Sequence, residues 1–360
     1  MGDRAGRSRL FRQSRHRRAT AGQRTGVAPD SRTRGRRRRD LPAARDVSVA
    51  RRLVINADDL GLTVGVNRGI FDAHRRGVLT SASLIAAAAA TDDAIARWRE
   101  CPTLGVGCHL TLVDGRPVLP PRDIPTLVDR EGRFRHSWKP FIAACLARRV
   151  SLDEVEQELA AQIGRLRAAG VPLTHLDAHK HVHAYPPIFR VVIRLAQRFG
   201  IETVRVPFER RTAAVGGTLR ARVAGWRQAA QNLALTRWAA ADRRAAAAAG
   251  LRTPAFIGRV HTGVLDGAAL EAMLRRVGPG VTELMVHPGD PDAALQGVRT
   301  RLRASRADEL RLLCAPETAR VIEREGIQLV RHDLVTSSVH RVISPSARDV
   351  SPAESDRRVS

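Results

Sequence analysis

From Arg52 onward, short apolar runs bounded by polar turns alternate with stretches of helical periodicity. That alternation predicts an α/β protein built on a parallel sheet. Eight runs read as strands, at residues 53–55, 80–86, 106–112, 173–179, 203–206, 255–260, 282–286 and 327–330. Eight strands with intervening helices fit a distorted (β/α) barrel of the TIM-like type. An open doubly wound sheet is the other arrangement, although no glycine-rich phosphate loop follows the first strand.

The elements follow in chain order. Asn56-Ala57-Asp58-Asp59 closes the first strand, and residues 64–76 read as a helix ended by Gly77. Thr91 is placed to cap a helix over 92–100. Residues 115–134 are rich in proline, glycine and charge, which predicts a long surface loop. Ser151 and Glu154 have capping-box spacing. Leu152, Val155, Leu159, Ile163 and Leu166 mark one helical face, and Gly170 ends that helix. A further helix is expected over 188–199. Residues 210–252, rich in alanine and arginine with Trp226, Leu233, Leu235 and Trp238, read as a helical insertion on the barrel rim. A basic amphipathic surface touching anionic membrane is the alternative there.

The formal charge of +25, from 61 Lys+Arg against 36 Asp+Glu, is concentrated at the start of the chain. Residues 1–50 hold fifteen arginines and four aspartates, six of the arginines falling between 32 and 39. Such a segment buries too little surface to offset its ordering entropy, so a disordered leader is expected. A nucleic-acid-gripping arm is one reading of it; a solvated tail or an upstream translation start are others. Arginine is favoured throughout, Lys139 and Lys180 being the two lysines of the chain. The expectation is therefore no nucleic-acid partner. The domain reading is a leader to residue 50, one barrel domain over 51–335 and a disordered tail over 336–360.

Four cysteines (Cys101, Cys108, Cys145, Cys314) form no CxxC pair, which argues against a structural zinc module or a disulfide-stapled secreted domain. No apolar run reaches the length of a membrane span, and the leader lacks the apolar core of a secretory signal. The expected location is cytoplasmic, with peripheral contact at the inner membrane face for a lipid-linked substrate.

The chemistry-bearing residues lie where the predicted strands end, the position at which barrel enzymes carry their sites. Asp58-Asp59 follow the first strand, His109 lies late in the third, and His287-Pro288-Gly289 follows the seventh. Each alone reads as a turn, a cap or a satisfied strand histidine. The segment 175–183 is different, holding four of the twelve histidines together with Asp177. In extended chain residues 175, 177, 179, 181 and 183 share one face. Histidine nitrogens with carboxylate oxygens suit Zn²⁺ or another divalent first-row ion. A carboxylate and two histidines with open positions form a hydrolytic metal site, beside which a second carboxylate can act as general base.

Four motifs in order, Asn56-Ala57-Asp58-Asp59-Leu60-Gly61, Gly107-Cys108-His109-Leu110, the 175–183 segment and Glu283-Leu284-Met285-Val286-His287-Pro288-Gly289, resemble the YdjC/ChbG family of carbohydrate deacetylases. The resemblance covers about residues 52–334. It implies a distorted (β/α) barrel that removes the acetyl group from N-acetylated amino sugars with a divalent metal, Mg²⁺ or Zn²⁺. Carried over residue by residue, it implies Asp59, His109 and His179 as metal ligands and Asp58 as general base. His287 becomes a proton donor or acetamide-orienting group. Asp177, His183 and Arg205 would line the site or support the ligands, with Asp177 equally able to be structural.

Val113-Asp114-Gly115-Arg116-Pro117-Val118-Leu119-Pro120-Pro121, with Ile124-Pro125 and Gly132-Arg133-Phe134, resembles the hopanoid-biosynthesis-associated branch. That implies an N-acetylglucosaminyl hopanoid as substrate. Leu60 stands where the family usually has an aromatic residue. A deacetylase of soluble chito-disaccharides, a phosphate-ester hydrolase using Arg205, and a basic nucleic-acid-binding protein are the competing readings.

Overall fold

The computed structural model describes residues 50–209 and 238–334. The predicted leader up to residue 49, the predicted tail, and Trp226, Leu233 and Leu235 lie outside the described residues.

Strand β1 (Arg51–Leu60) is buried from Leu53 to Leu60 and lies in the middle of the sheet. It runs parallel to β6 (Gly280–Val286), pairing Arg51 with Gly280 through Ala57 with Val286. Two strands share its other edge: β2 (Ser81–Leu84) pairs with the C-terminal half and β7 (Gln328–Leu329) with Arg52 and Leu53. With β3 (Gly105–Leu110), β4 (Leu173–Ala178) and β5 (Ala255–Ile257), the order is β4-β3-β2-β1-β6-β5, and every pairing is parallel. Such strands are covered on both faces, and their apolar runs follow from that.

The expected eight-stranded closure is not reached. Residues 203–206 form only single bridges, Leu176 with Val204 and Thr203 with Arg252. Pro207 follows directly and has no N–H to extend a ladder. Seven paired strands therefore make a half-barrel sheet, consistent with a distorted (β/α) barrel and short of a full one.

Helix α1 (Val64–Arg76) starts where the Thr63 hydroxyl accepts the Val66 N–H, and it buries Val66, Ile70, Phe71 and Ala73. Helix α2 (Thr91–Glu100) begins one residue earlier than expected. Thr91 is its first residue and not its cap, because the hydroxyl accepts from Ala88 N and donates to Ile85 O. Helix α3 (Trp138–Leu146) precedes α4 (Leu152–Ala168), whose Val155, Leu159, Ile163 and Leu166 are buried as expected. Leu152 is 40% exposed and leaves that face. Only half of the capping box forms: Ser151 accepts the Glu154 N–H, but the Glu154 carboxylate turns to the N–H and hydroxyl of Thr126.

Residues 115–134 form the expected long surface loop, pinned to the core by the completely buried Ile124, Leu127 and Phe134 and by a bridge from Val128 to Phe134. Glu158 of α4 accepts the N–H groups of Val118 and Leu119, supplying backbone partners that a strand would otherwise give.

Helix α5 (Pro186–Arg198) carries proline in its first turn. Residues 238–248 form α6, whose Trp238 packs edge-on against Tyr185 at 5.4 Å. The last described elements are α7 (Gly267–Arg275), then β6, α8 (Ala293–Gly297), α9 (Ala304–Cys314), α10 (Pro316–Arg324) and β7.

Gly107 in β3 shows how tightly the sheet interior is filled. A Cβ there would sit 2.4 Å from the His175 ring. Gly107→Ala is expected to lower stability by roughly 1–3 kcal/mol through overpacking, read as a fall in denaturation midpoint. An unchanged midpoint would mean that His175 swings aside at no cost.

Candidate active site

Adjacent residues of a regular strand point to opposite faces, so Asp58 and Asp59 could not both reach one site from an undistorted β1. The register with β2 shifts between Ala57 and Leu60, and Asp59 takes a φ of 68°. This bulge, with an aspartate in the left-handed region that aspartate tolerates better than most residues, re-aims the pair. The turn is secured by Gly61 N–H to Asn67 Oδ1 at 2.7 Å.

Asp59 Oδ1 lies 3.0 Å from His179 Nδ1 and 3.6 Å from His109 Nε2. One donor atom from each of these three residues falls within 4.8 Å of the others. The three arrive from the C-terminal ends of β1, β3 and β4, which the parallel sheet sets at one edge with β2 between β1 and β3. His109 Nδ1 is 2.9 Å from Asp177 Oδ1. Taken as the donor, it leaves Nε2 facing Asp59, the carboxylate–imidazole arrangement that orients metal-binding histidines. Burial opposes a charge on His109, but Asp177, with Asp58 and Asp59, pushes its pKa up to about 9. Burial likewise works against the Asp59 carboxylate, yet Arg306 and His179 hold it well below the usual range. One carboxylate and two imidazoles converging in this way fit a divalent cation.

Asp58 is built differently. Arg205 Nη1 and Nη2 donate to its two oxygens, both at 2.7 Å. Burial alone would raise the Asp58 pKa; the guanidinium overrides it and holds the carboxyl ionised far into acid. Asn56 Nδ2 adds a hydrogen bond to Oδ1 at 3.0 Å.

Arg205 also reaches Glu283 Oε1 at 2.6 Å and Asp177 Oδ2 at 2.7 Å. Three carboxylates occupy this fully buried guanidinium, so it supports the site's carboxylates and offers no face to a phosphoryl group. His183 Nε2 lies 2.9 Å from the Arg205 carbonyl and helps to hold that backbone. Burial raises Glu283 to about 7 in spite of Arg205.

The shared face expected for residues 175–183 is lost beyond residue 178. β4 ends at Ala178, and Lys180 and His181 both take left-handed backbone angles within a short 3₁₀ segment. His179 consequently reaches the site. His181 packs against Phe256, and His175 lies below with its ring 4.0 Å from that of His332. His287, at the end of β6, is neutral at pH 7, since burial pushes it down to about 4 against the pull of Asp58 and Asp59.

Three contributors escaped sequence reasoning. Glu283 was part of a quoted motif without a role. Ser83, whose hydroxyl donates to Asp177 Oδ2 at 2.9 Å, comes from a strand read only for its apolar pattern. Arg306, completely buried, holds Asp59 Oδ2 at 2.5 Å from helix α9. In a chain with 61 Lys+Arg, one functional arginine carries no distinguishing signal.

A parallel α/β sheet whose strand ends gather carboxylates and imidazoles into one buried cluster defines an enzyme-like site of the barrel class. The chain belongs to the YdjC-like protein family, whose sequence pattern matches residues 52–324. It is 36% identical over 284 residues to a carbohydrate deacetylase of Brevibacillus brevis, covering 78% of this chain and 97% of that one. Identity to a carbohydrate deacetylase of Geobacillus stearothermophilus is 31% over 285 residues, covering 78% and 96%. A crystal structure from Enterococcus faecalis, titled a putative cellobiose-phosphate cleavage protein, superposes with a TM-score of 0.63 at 27% identity, covering 79% of this chain and 98% of that one.

Proposed function

We propose that this protein is a carbohydrate deacetylase, releasing acetate from an N-acetylated amino sugar at a divalent metal held by Asp59, His109 and His179. The observation that carries the reading is the convergence of those three donors beside an aspartate kept ionised by Arg205. The two carbohydrate deacetylases that it resembles along most of their length support the substrate class. Two nitrogens and one oxygen favour Zn²⁺ or a similar first-row ion over Mg²⁺, which prefers oxygen ligands.

A bound ion would supply the Lewis acid for the acetyl carbonyl and bring the pKa of water towards about 7. The protein's own groups do the rest. Asp58, ionised at all working pH values, accepts the proton of the attacking water. Neutral His287 suits the orienting role better than the donor role, since an unprotonated imidazole has no spare proton to release. The proton gathered on Asp58 then passes to the departing sugar nitrogen as the C–N bond breaks. Products are acetate and the free amino sugar.

For the finer substrate, a lipid-linked N-acetylglucosaminyl hopanoid, the support lies in the segment 113–134. Asp114 pairs with Lys180, next to His179, and lies 3.9 Å from His136. That fixes the segment against the 3₁₀ turn carrying His179, where it can form a wall of the substrate site. Trp238 offers little to a membrane, because it packs on Tyr185. Among the described residues no helix is long and apolar enough to cross a membrane. Acetate release from diacetylchitobiose and from N-acetylglucosaminyl lipid, compared on the purified protein, tests the reading. Turnover of neither sinks it, and preference for the soluble sugar removes the lipid branch.

His109 sets a pH dependence. Its pKa of about 9 without metal means that it is protonated at neutral pH and must lose that proton to ligate. Apparent metal affinity is therefore expected to climb tenfold per pH unit up to about 9 and then level off. Calorimetry in buffers of differing ionisation enthalpy reads the released proton directly.

A further inference from the structure

Helix α9 (Ala304–Cys314) lies outside the four motifs, yet two of its side chains end at the site. Arg306 and Glu309 are three residues apart, a spacing that puts both on one face of a helix. Both are buried, Arg306 completely and Glu309 to within 2%.

Arg306 is anchored at one end by its Nε donating to Leu302 O at 3.1 Å, and Nη2 donates to Asp59 Oδ2. Its Nη1 has no hydrogen-bond partner among the described residues. The consequence for Asp59 is directional. With Oδ2 tied to the guanidinium, Oδ1 alone is turned towards His179 and His109. Glu309 Oε2 accepts the backbone N–H of His287 at 2.5 Å. The same helix also takes the Gly289 N–H on the Arg306 carbonyl at 3.1 Å, and a Cβ on Gly289 would press against the Arg306 stem at 3.2 Å. One helix face thus grips both the metal-facing carboxylate and the turn that begins at His287.

We propose that α9 is the positioning element of the site, with two separable tasks. Arg306 fixes the Asp59 carboxylate so that a single oxygen faces the metal, and Glu309 fixes the backbone from which His287 projects. This rests on the metal-site reading above. A charge argument alone points the other way for Arg306: deleting a cation beside a metal ligand would strengthen metal binding. Orientation predicts weakening, so the sign of the change decides between them.

The test uses the full chain, stripped of metal and titrated with Zn²⁺ by calorimetry, with thermal unfolding and kinetics on the reloaded protein. Arg306→Gln is expected to weaken Zn²⁺ binding by about 10–100-fold. Arg306→Lys, which keeps the charge but not the fork, should fall between it and the wild type. Glu309→Ala should lower kcat about tenfold while Zn²⁺ affinity stays within about twofold, and Glu309→Gln, which retains an acceptor, should recover most of the rate. Wild-type or tighter Zn²⁺ affinity in either Arg306 variant overturns the positioning role. So does equal loss of affinity from Arg306 and Glu309 variants, which a purely structural helix would give. If Arg306→Gln does not fold, Arg306→Lys decides. Failure of the wild type itself to bind Zn²⁺ sinks the metal-site reading instead, and the two failures are distinguishable.

Discussion

Asp58→Asn is expected to lower kcat by roughly 10²–10⁴ while the protein still carries its metal. The substitution keeps the shape of the side chain and removes its basicity. Arg205 keeps Asp177 and Glu283 as partners, so its own position is maintained. Acetate release and metal content, measured on the same preparation, check both halves. Retained activity would deny Asp58 the role of base. Loss of the metal would point to the other donor set that the cluster offers, Asp58 with His109 and Asp177. That set is the weaker candidate, because the Arg205 guanidinium already neutralises both of its carboxylates.

Arg205→Met should be the most damaging change to stability. It leaves Asp58, Asp177 and Glu283 buried without their cation, and breaking one partner of a buried ionic cluster costs about 3–5 kcal/mol. For a domain of this size that corresponds to a fall of about 10 °C in Tm. The pH dependence has a definite sign. In the wild type the Asp58 pKa is depressed, so its contribution is present above the unfolded carboxylate pKa of 3.8 and is lost as pH falls into acid. In the variant the main charge opposing burial is gone, so the Asp58 and Glu283 carboxyls shift upward and stability is lost as pH rises. The gap between the two proteins should therefore narrow from pH 8 to pH 5, and a gap constant with pH would mean that the cluster is held by packing and not by charge.

Much of the site was legible because its residues stand at strand ends in local motifs. Asp58, Asp59, His109, His179 and His287 could be read in that way, and the structure brings Asp59, His109 and His179 within ligand distance of one another. What could not be read was long-range or conformational. Arg306 and Glu309 act from a helix about 250 residues beyond Asp59, and nothing in a helical sequence says which side chain is aimed across the molecule. Arg205 was noticed, but its saturation by three carboxylates depends on β1, β4 and β6 meeting in space. The even spacing of the 175–183 histidines suggested a shared face, and two consecutive left-handed residues break it. For the fold, apolar periodicity located the strands, yet it could not show that Pro207 would stop the segment 203–206 at single bridges. Nor could composition show that the loop leading to Phe134 is pinned to the core, with backbone partners that come from side chains of α4.

The central place of β1 bears on how the chain is made. Of the described strands β1 is made first; β2 follows soon after, but its other neighbours, β6 and β7, come more than two hundred residues later. Until those are synthesised, one whole edge of β1, with its apolar side chains, has no partner, a state in which parallel sheets fold slowly and aggregate readily. All three proposed metal ligands precede that closure, and so do both carboxylates that Arg205 holds apart from Glu283. A nascent chain would thus display a loose set of metal-binding groups before it has the sheet to organise them. Truncations from the C-terminal side should be poorly soluble even when every proposed ligand is retained.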